Sequence, residues 1–283
     1  MQRIIKILKS TVVFSVLVVS MSSCIYDHYN TVQFNIHVHA VDNSGNQLSD
    51  NTLQGQHLYF FVNERYSAEL YPDANGNYFS SFPEGTVVQF VSVASEDSTA
   101  FRFNPPVTGD HIHNWYAEVL DYNNIPPLYY GSTILGESSD DVSIVMKDIR
   151  CRFRVLVRNL KNRLGDGDYN VVIGGLRRAI TYEGEGCGDI VEKQGLGSMQ
   201  SSGDWLSNEI ISLPTAIGEG ITIRLYRDSE VAAFANLDDE GEIMSLYAGD
   251  DKVFIITLYD HARISVHVAP WSEINQDFTL EPL

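Results

Sequence analysis

Short runs that alternate apolar and polar residues recur along this chain, and no stretch holds a 3.6-residue period beyond two turns. The first run, Val32-Gln33-Phe34-Asn35-Ile36-His37-Val38-His39-Ala40, places Val32, Phe34, Ile36 and Val38 on one face, the pattern of a half-buried strand. Similar runs predict strands at 58–62, 78–82, 87–93, 115–120, 142–146, 153–157, 169–173, 221–226, 253–259 and 264–268. Turn signals rich in Asn, Asp and Gly separate them at 43–46, 73–77, 165–168 and 238–241. Many short strands with no helices between them indicate an all-β chain of antiparallel sandwiches.

The length suits two such units. We place an N-terminal β-sandwich at 32–147 and a C-terminal one at 148–283, because Cys151 to Leu160 opens a second alternating series as Val32 to Ala40 opened the first. Pro126 and Pro127 cannot donate to a ladder and so cannot sit in a central strand, and the segment 125–132 is expected near the end of the first unit.

The start has a different character. Arg3, Lys6 and Lys9 precede the apolar run 11–19, which is long enough for a secretory leader and short of a bilayer span. Ser22-Ser23-Cys24 follows, a small-residue pair before cysteine that resembles a bacterial lipobox, with Met21 where an aliphatic is usual. This predicts a signal peptide at 1–23, lipidation at Cys24 and a tether at 24–31. Each acyl chain contributes ~0.8 kcal/mol per buried methylene, and two or more chains make attachment stable.

Acidic residues outnumber basic ones 37 to 19, for a net charge of −18. Such a chain repels nucleic acid and anionic headgroups, so membrane contact must come from the lipid. Beyond Cys24 the cysteines are Cys151 and Cys187. In an oxidising compartment they could close a loop of about 36 residues, or Cys151 could be a buried free thiol.

Catalytic signatures are missing: the chain has no His-Glu-x-x-His, no Gly-x-Ser-x-Gly and no P-loop. Gly184, Gly186 and Gly188 lack dinucleotide-binding spacing and read as a flexible loop. The pairs His37/His39 and His111/His113 each offer two imidazoles, too few for a structural zinc site, and no carboxylate or cysteine stands at ligand spacing. The segment 73–77 starts like a calcium loop but has its glycine at the wrong position, so it reads as a β-turn. We therefore expect no enzyme activity, no metal, no cofactor and no small-molecule substrate.

The lipobox at Cys24, the segment Pro126-Pro127-Leu128-Tyr129-Tyr130-Gly131, the strand from Arg150 to Leu160 and the closing Ile264 to Trp271 together resemble the FimB-type fimbrial anchoring subunits of the type V pilus superfamily. The resemblance implies a lipid-anchored outer-membrane protein with two transthyretin-like sandwiches. Such a protein attaches a fimbrium to the cell and limits its length. Shaft subunits of that superfamily lose their first strand to an arginine-specific protease, whereas here no Arg or Lys lies between Ile25 and Glu64. The lipid and the first strand would then stay together, as an anchor requires. The partner implied is a fimbrial shaft subunit, met by β-augmentation along Ile264, Val266 and Val268 or along Phe278 and Leu280. Two alternatives stand beside it. Tyr26, Tyr29, Tyr122, Tyr129, Tyr130, Trp115 and Trp205 could stack on sugars in a surface glycan-binding lipoprotein. A tip adhesin of the same superfamily is the other. Of the two membrane faces, the cell surface is the one expected.

Overall fold

The computed structural model describes residues 31–42, 44–49, 54–74, 76–83, 85–135, 141–259 and 264–272. The expected leader, Cys24, its tether up to residue 30, and the tail positions Phe278 and Leu280 lie outside these residues. Strands dominate: β1 (Thr31–Ala40), β2 (Gln54–Val62), β3 (Arg65–Leu70), β4 (Tyr78–Pro83), β5 (Val88–Ser95), β6 (Phe101–Phe103), β7 (Trp115–Val119), β8 (Leu128–Leu135), β9 (Asp141–Asp148) and β10 (Cys151–Arg158). After the one-turn helix α1 (Leu160–Leu164) come β11 (Tyr169–Thr181), β12 (Gly186–Gly195), β13 (Gly197–Met199), β14 (Trp205–Ser207) and β15 (Ile210–Ser212). The series closes with β16 (Thr222–Arg227), β17 (Glu230–Ala235), β18 (Asp251–Leu258) and β19 (Ile264–Pro270). The chain is all-β, as its alternation implied.

One sheet has seven strands in the order β3-β2-β5-β8-β9-β1-β4. It is joined at its middle only by Tyr129↔Asp148 and Tyr130↔Lys147, so its two halves fold face to face. Phe34, Ile36, Phe82, Val142 and Ile144 of β4-β1-β9 interlock with Leu58, Val88 and Phe90 of β2 and β5. The outer half alternates cleanly: β9 is exposed and buried at successive residues throughout. The inner half does not, because β5 is buried at every position except Gln89, which is half-buried.

That second buried face of β2 and β5 meets the rest of the molecule. Tyr59, Phe61, Val91 and Val93 enter one continuous core with Tyr116 and Tyr182, and with Phe153, Val155, Phe254 and Ile256 further on. Two more sheets enclose that core: β13-β14-β10-β18-β19, with β15 also on β10, and β17-β16-β11-β7-β6, with β12 also on β11. The β6–β7 hairpin stands before residue 147 but pairs with β11, through Glu118↔Ala179, Ala117↔Ile180 and Trp115↔Thr181. The two halves of the sequence thus share both a sheet and a core.

Three connections use one device. Asp42, Asp73 and Asp238 each accept, through Oδ1, the N–H of the residue four further on, at 2.8, 2.9 and 2.8 Å. Gly45, Gly76 and Gly241, at the fourth place of these turns, have φ of +84°, +83° and +88°, a region that favours glycine. The calcium-like segment 73–77 is therefore such a turn. The 184–188 segment departs from expectation, since Gly186 and Gly188 belong to β12. A Cβ on Gly186 would lie 2.1 Å from the Pro214 carbonyl oxygen, so this glycine serves close packing and not loop freedom.

Because one core spans both halves, unfolding should be a single transition. Far-UV circular dichroism and the fluorescence of Trp115 and Trp205 should give coincident denaturation curves. Phe61→Ala, which empties a fully buried site, should lower stability by about 3–5 kcal/mol and shift both curves together.

Candidate subunit-pairing edge

Two features of the strand order bear on association: where the first strand sits, and whether the strand holding the expected pairing residues ends its sheet. β1 is an inner strand. It pairs antiparallel with β4, from Thr31↔Pro83 to Ile36↔Tyr78, and parallel with β9, from Asn35↔Asp141 to Ala40↔Met146. Phe34 and Ile36 are buried in the core beneath it, which contributes ~1.5–3 kcal/mol for each such side chain. Its other face carries His37, exposed, with Asn35 Nδ2 3.0 Å from the ring Nε2.

β19 is an edge strand. It pairs with β18 from Lys252↔Pro270 to Leu258↔Ile264 and ends its sheet. Val266 is buried, and Ile264 and Val268 pack against the same core, so these three expected pairing residues share a face. Their side chains turn inward, leaving the main chain as the available surface. The outward carbonyl of Val266 accepts the N–H of Asp239 at 2.7 Å, and His267 Nδ1 lies 3.5 Å from Asp239 Oδ2. The 238–242 turn thus covers the centre of the edge and leaves Val268 beyond it. Pro270 has no N–H to offer, a common way to blunt an edge. Alongside, Val231 and Phe234 of β17, together with Leu237 and Ile243, are exposed apolar side chains on the segment that borders β19.

The link between β9 and β10 is fixed by charge. Asp148, 6 % exposed, accepts from Arg150 Nε and Nη2 and from Arg152 Nη2 at 3.0, 2.7 and 2.9 Å. Arg150 Nη1 also donates to the Ile125 carbonyl at 2.7 Å. Cys151 follows, its thiol 3.0 Å from the Tyr247 carbonyl, and burial pushes that thiol well above its ordinary pKa. Cys187 is half-buried on β12, and burial raises its thiol to about 11. Both are free thiols, so the bridge weighed from the sequence is not formed.

The aromatic residues considered for sugar stacking are mostly internal. Tyr122, Tyr129 and Trp205 are buried. Trp115 lies under the Arg102 guanidinium, 5.8 Å from the ring centre, and Tyr130 packs against the core. Tyr26 and Tyr29 lie outside the described residues.

One cluster was invisible to spacing. The second histidine pair meets Glu64, which stands at the β2–β3 turn, nearly fifty residues away in the chain. One donor atom from each of Glu64, His111 and His113 lies within 4.8 Å of the other two. His111 Nε2 is 3.1 Å from Glu64 Oε2, and His113 Nδ1 contacts Glu183 Oε2 on the β11–β12 turn. A search of sequence neighbours could not find it, since hairpin and loop converge only through the fold.

No protein-family model matches the chain, and no curated protein does either. Solved structures do. The fimbrial anchor protein Mfa2 of Porphyromonas gingivalis superposes with a TM-score of 0.55 at 9% identity, over 85% of this chain and 98% of its own. A Bacteroides thetaiotaomicron protein described as a polysaccharide-binding candidate gives 0.55 at 13% identity, over 87% and 100%. Another protein of that organism, described as an adhesin candidate, gives 0.52 at 12%, over 87% and 98%. At these identities the likeness is one of fold. Among the described residues, no helix is long and apolar enough to cross a membrane.

Removing the Asp148 carboxylate leaves two arginines without their buried partner. Asp148→Ala should cost about 3–5 kcal/mol in chemical denaturation. Glu118→Gln, which touches Arg102 at an exposed pair, should cost at most about 1 kcal/mol. The thiols make a separate test. At pH 7 the native protein should react slowly with iodoacetamide at Cys187 and not at Cys151. After unfolding without reductant, both should alkylate, as read by mass spectrometry.

Proposed function

We propose that this chain is a fimbrial anchoring subunit of the type V pilus superfamily, held on the outer membrane by lipid on Cys24. It attaches a fimbrium and limits its length through β-strand pairing with the adjoining pilin. The observation that carries this reading is the position of β1, locked between β4 and β9 with Phe34 and Ile36 in the core. A subunit that keeps this strand has no groove there for a neighbour's strand. It can meet a pilin only elsewhere, which makes it an end and not a link.

The run from Ile25 to Glu64 without Arg or Lys supports the same conclusion, because a trypsin-like enzyme has no bond to cut between lipid and β1. The first basic residue beyond it, Arg65, already lies within β3. The fold shared with Mfa2, a fimbrial anchor, agrees with the role. For the pairing surface we assign the border made by β17, the 238–242 turn and β19, where an edge strand adjoins exposed Val231, Phe234, Leu237 and Ile243. Glycan capture loses support, since three of the aromatics that would carry it, Tyr122, Tyr129 and Trp205, are buried. A tip adhesin would need release from its lipid, which the basic-free run disfavours.

Cys24→Ala should release the protein from the membrane and shed fimbriae into the medium. Fimbriae that stay on such cells would rule out the anchoring role. Val268→Pro removes an outward N–H while sparing the residues that ladder with β18. It should leave the protein folded and membrane-bound but weaken pilin attachment at least tenfold in a pull-down. If attachment survives that change and fails on deletion of residues 274–283, the tail holding Phe278 and Leu280 is the pairing strand.

A further inference from the structure

We infer that Glu64, His111 and His113 form a binding site for a divalent transition metal of the Zn²⁺ type, with Glu183 holding His113 in position. The donor set is two imidazoles and one carboxylate, a set that zinc takes with a fourth position left open. Hard ions such as Ca²⁺ and Mg²⁺ prefer all-oxygen surroundings, so the set discriminates against them.

The geometry is close to what an ion needs. Donors 2.0–2.1 Å from a tetrahedral ion lie about 3.3 Å apart. His111 Nε2 and Glu64 Oε2, at 3.1 Å, already stand at that spacing. The imidazoles of His111 and His113 lie with ring centres 4.2 Å apart at 30°, and one nitrogen of each already stands within 4.8 Å of the other and of the Glu64 carboxylate. Glu183 Oε2 contacts His113 Nδ1. That contact keeps the proton on Nδ1 and leaves Nε2 with its lone pair, the arrangement of a carboxylate behind a metal-bound histidine.

The surroundings also favour a cation. The carboxylates of Glu64 and Glu183 both lie against the two imidazoles and place negative charge beside them. The backbone is unusual as well. Asn63 and Glu64 have φ of +48° and +63°, and the second of these turn positions is one where glycine is the usual choice. A glutamate there keeps its carboxylate facing His111.

The ligands come from the β2–β3 turn and the 111–113 segment, and Glu183 comes from the β11–β12 turn. An ion would therefore fasten the first sheet to the hairpin that enters the third. Glu64 and His113 are exposed, so water or a donor from another chain would complete the shell.

The test is Zn²⁺ titration of the untagged protein after EDTA treatment, by isothermal calorimetry at pH 7.5 with a matched Ca²⁺ titration. One Zn²⁺ should bind with a micromolar or tighter Kd, raise the melting temperature by a few degrees, and give no signal with Ca²⁺. His111→Ala and His113→Ala should each weaken binding at least tenfold, and Glu183→Gln about 10–100-fold. Each variant should keep the metal-free melting temperature of the parent, which separates lost binding from lost folding. His37→Ala with His39→Ala should leave binding unchanged. Binding should fall as pH drops from 7.5 to 5.5 and the imidazoles protonate. The assignment is overturned if Zn²⁺ produces neither heat nor a rise in melting temperature. It is equally overturned if the His111 and His113 variants bind as the parent does, or if the His37/His39 change abolishes binding.

Discussion

Everything in this molecule depends on the contact between β2 and the paired rings beyond it. Tyr59 meets Tyr116 and Tyr182 edge-on, at 6.0 and 5.7 Å between ring centres, while Phe61 lies 5.4 Å from Tyr182. Such aromatic pairs contribute about 0.5–1.5 kcal/mol beyond the area they bury. Tyr182 also donates its hydroxyl to the Asn104 carbonyl at 2.5 Å, so its polar end is satisfied inside the core. Burial holds the Tyr59, Tyr116 and Tyr182 hydroxyls well above the ordinary tyrosine range, so they remain neutral at any physiological pH. Without this contact the inner half of the first sheet would expose a full apolar face, and Tyr116 of the β6–β7 hairpin would lose its ring contact with Tyr59.

What could be read in advance was what depends on near neighbours. Alternation from Val32 to Ala40 reported a strand with one wet face, and β1 is that strand. The Asp-x-x-Gly turns were legible because a short acceptor and a glycine suffice to build them. Strands such as β3, β6 and β12 to β15 escaped notice because they are short, or because their apolar positions are few. β8 escaped for a different reason: the prolines at 126 and 127 flank it without entering it, and it runs as a central strand directly behind them. β5 could be seen as apolar but not as buried on both faces, which only its partners decide.

The same limit applies to sites. His111 and His113 were conspicuous in sequence, yet their carboxylate neighbours Glu64 and Glu183 are far away along the chain. Ile264, Val266 and Val268 alternate along β19 and share its inward face, but alternation says nothing about which side of a strand lacks a neighbour. The cover supplied by Asp239 over Val266 was likewise out of reach. Edges, clusters and bridges are properties of the assembled sheet order, and they arise from contacts between segments that share no local signal.

The parallel ladder between β1 and β9 has a consequence for the order of events when the chain is made. Ile36 faces Val142, so roughly a hundred residues must emerge after β1 before its lasting neighbour exists. Until then β1 can hold only β4, a two-stranded ribbon that is marginal in water by itself. Until β9 is present, Phe34 and Ile36 lack the Val142 and Ile144 side chains that complete their core. The first strand thus waits for a partner made about a hundred residues later, and its uncovered apolar face is an aggregation hazard during that interval.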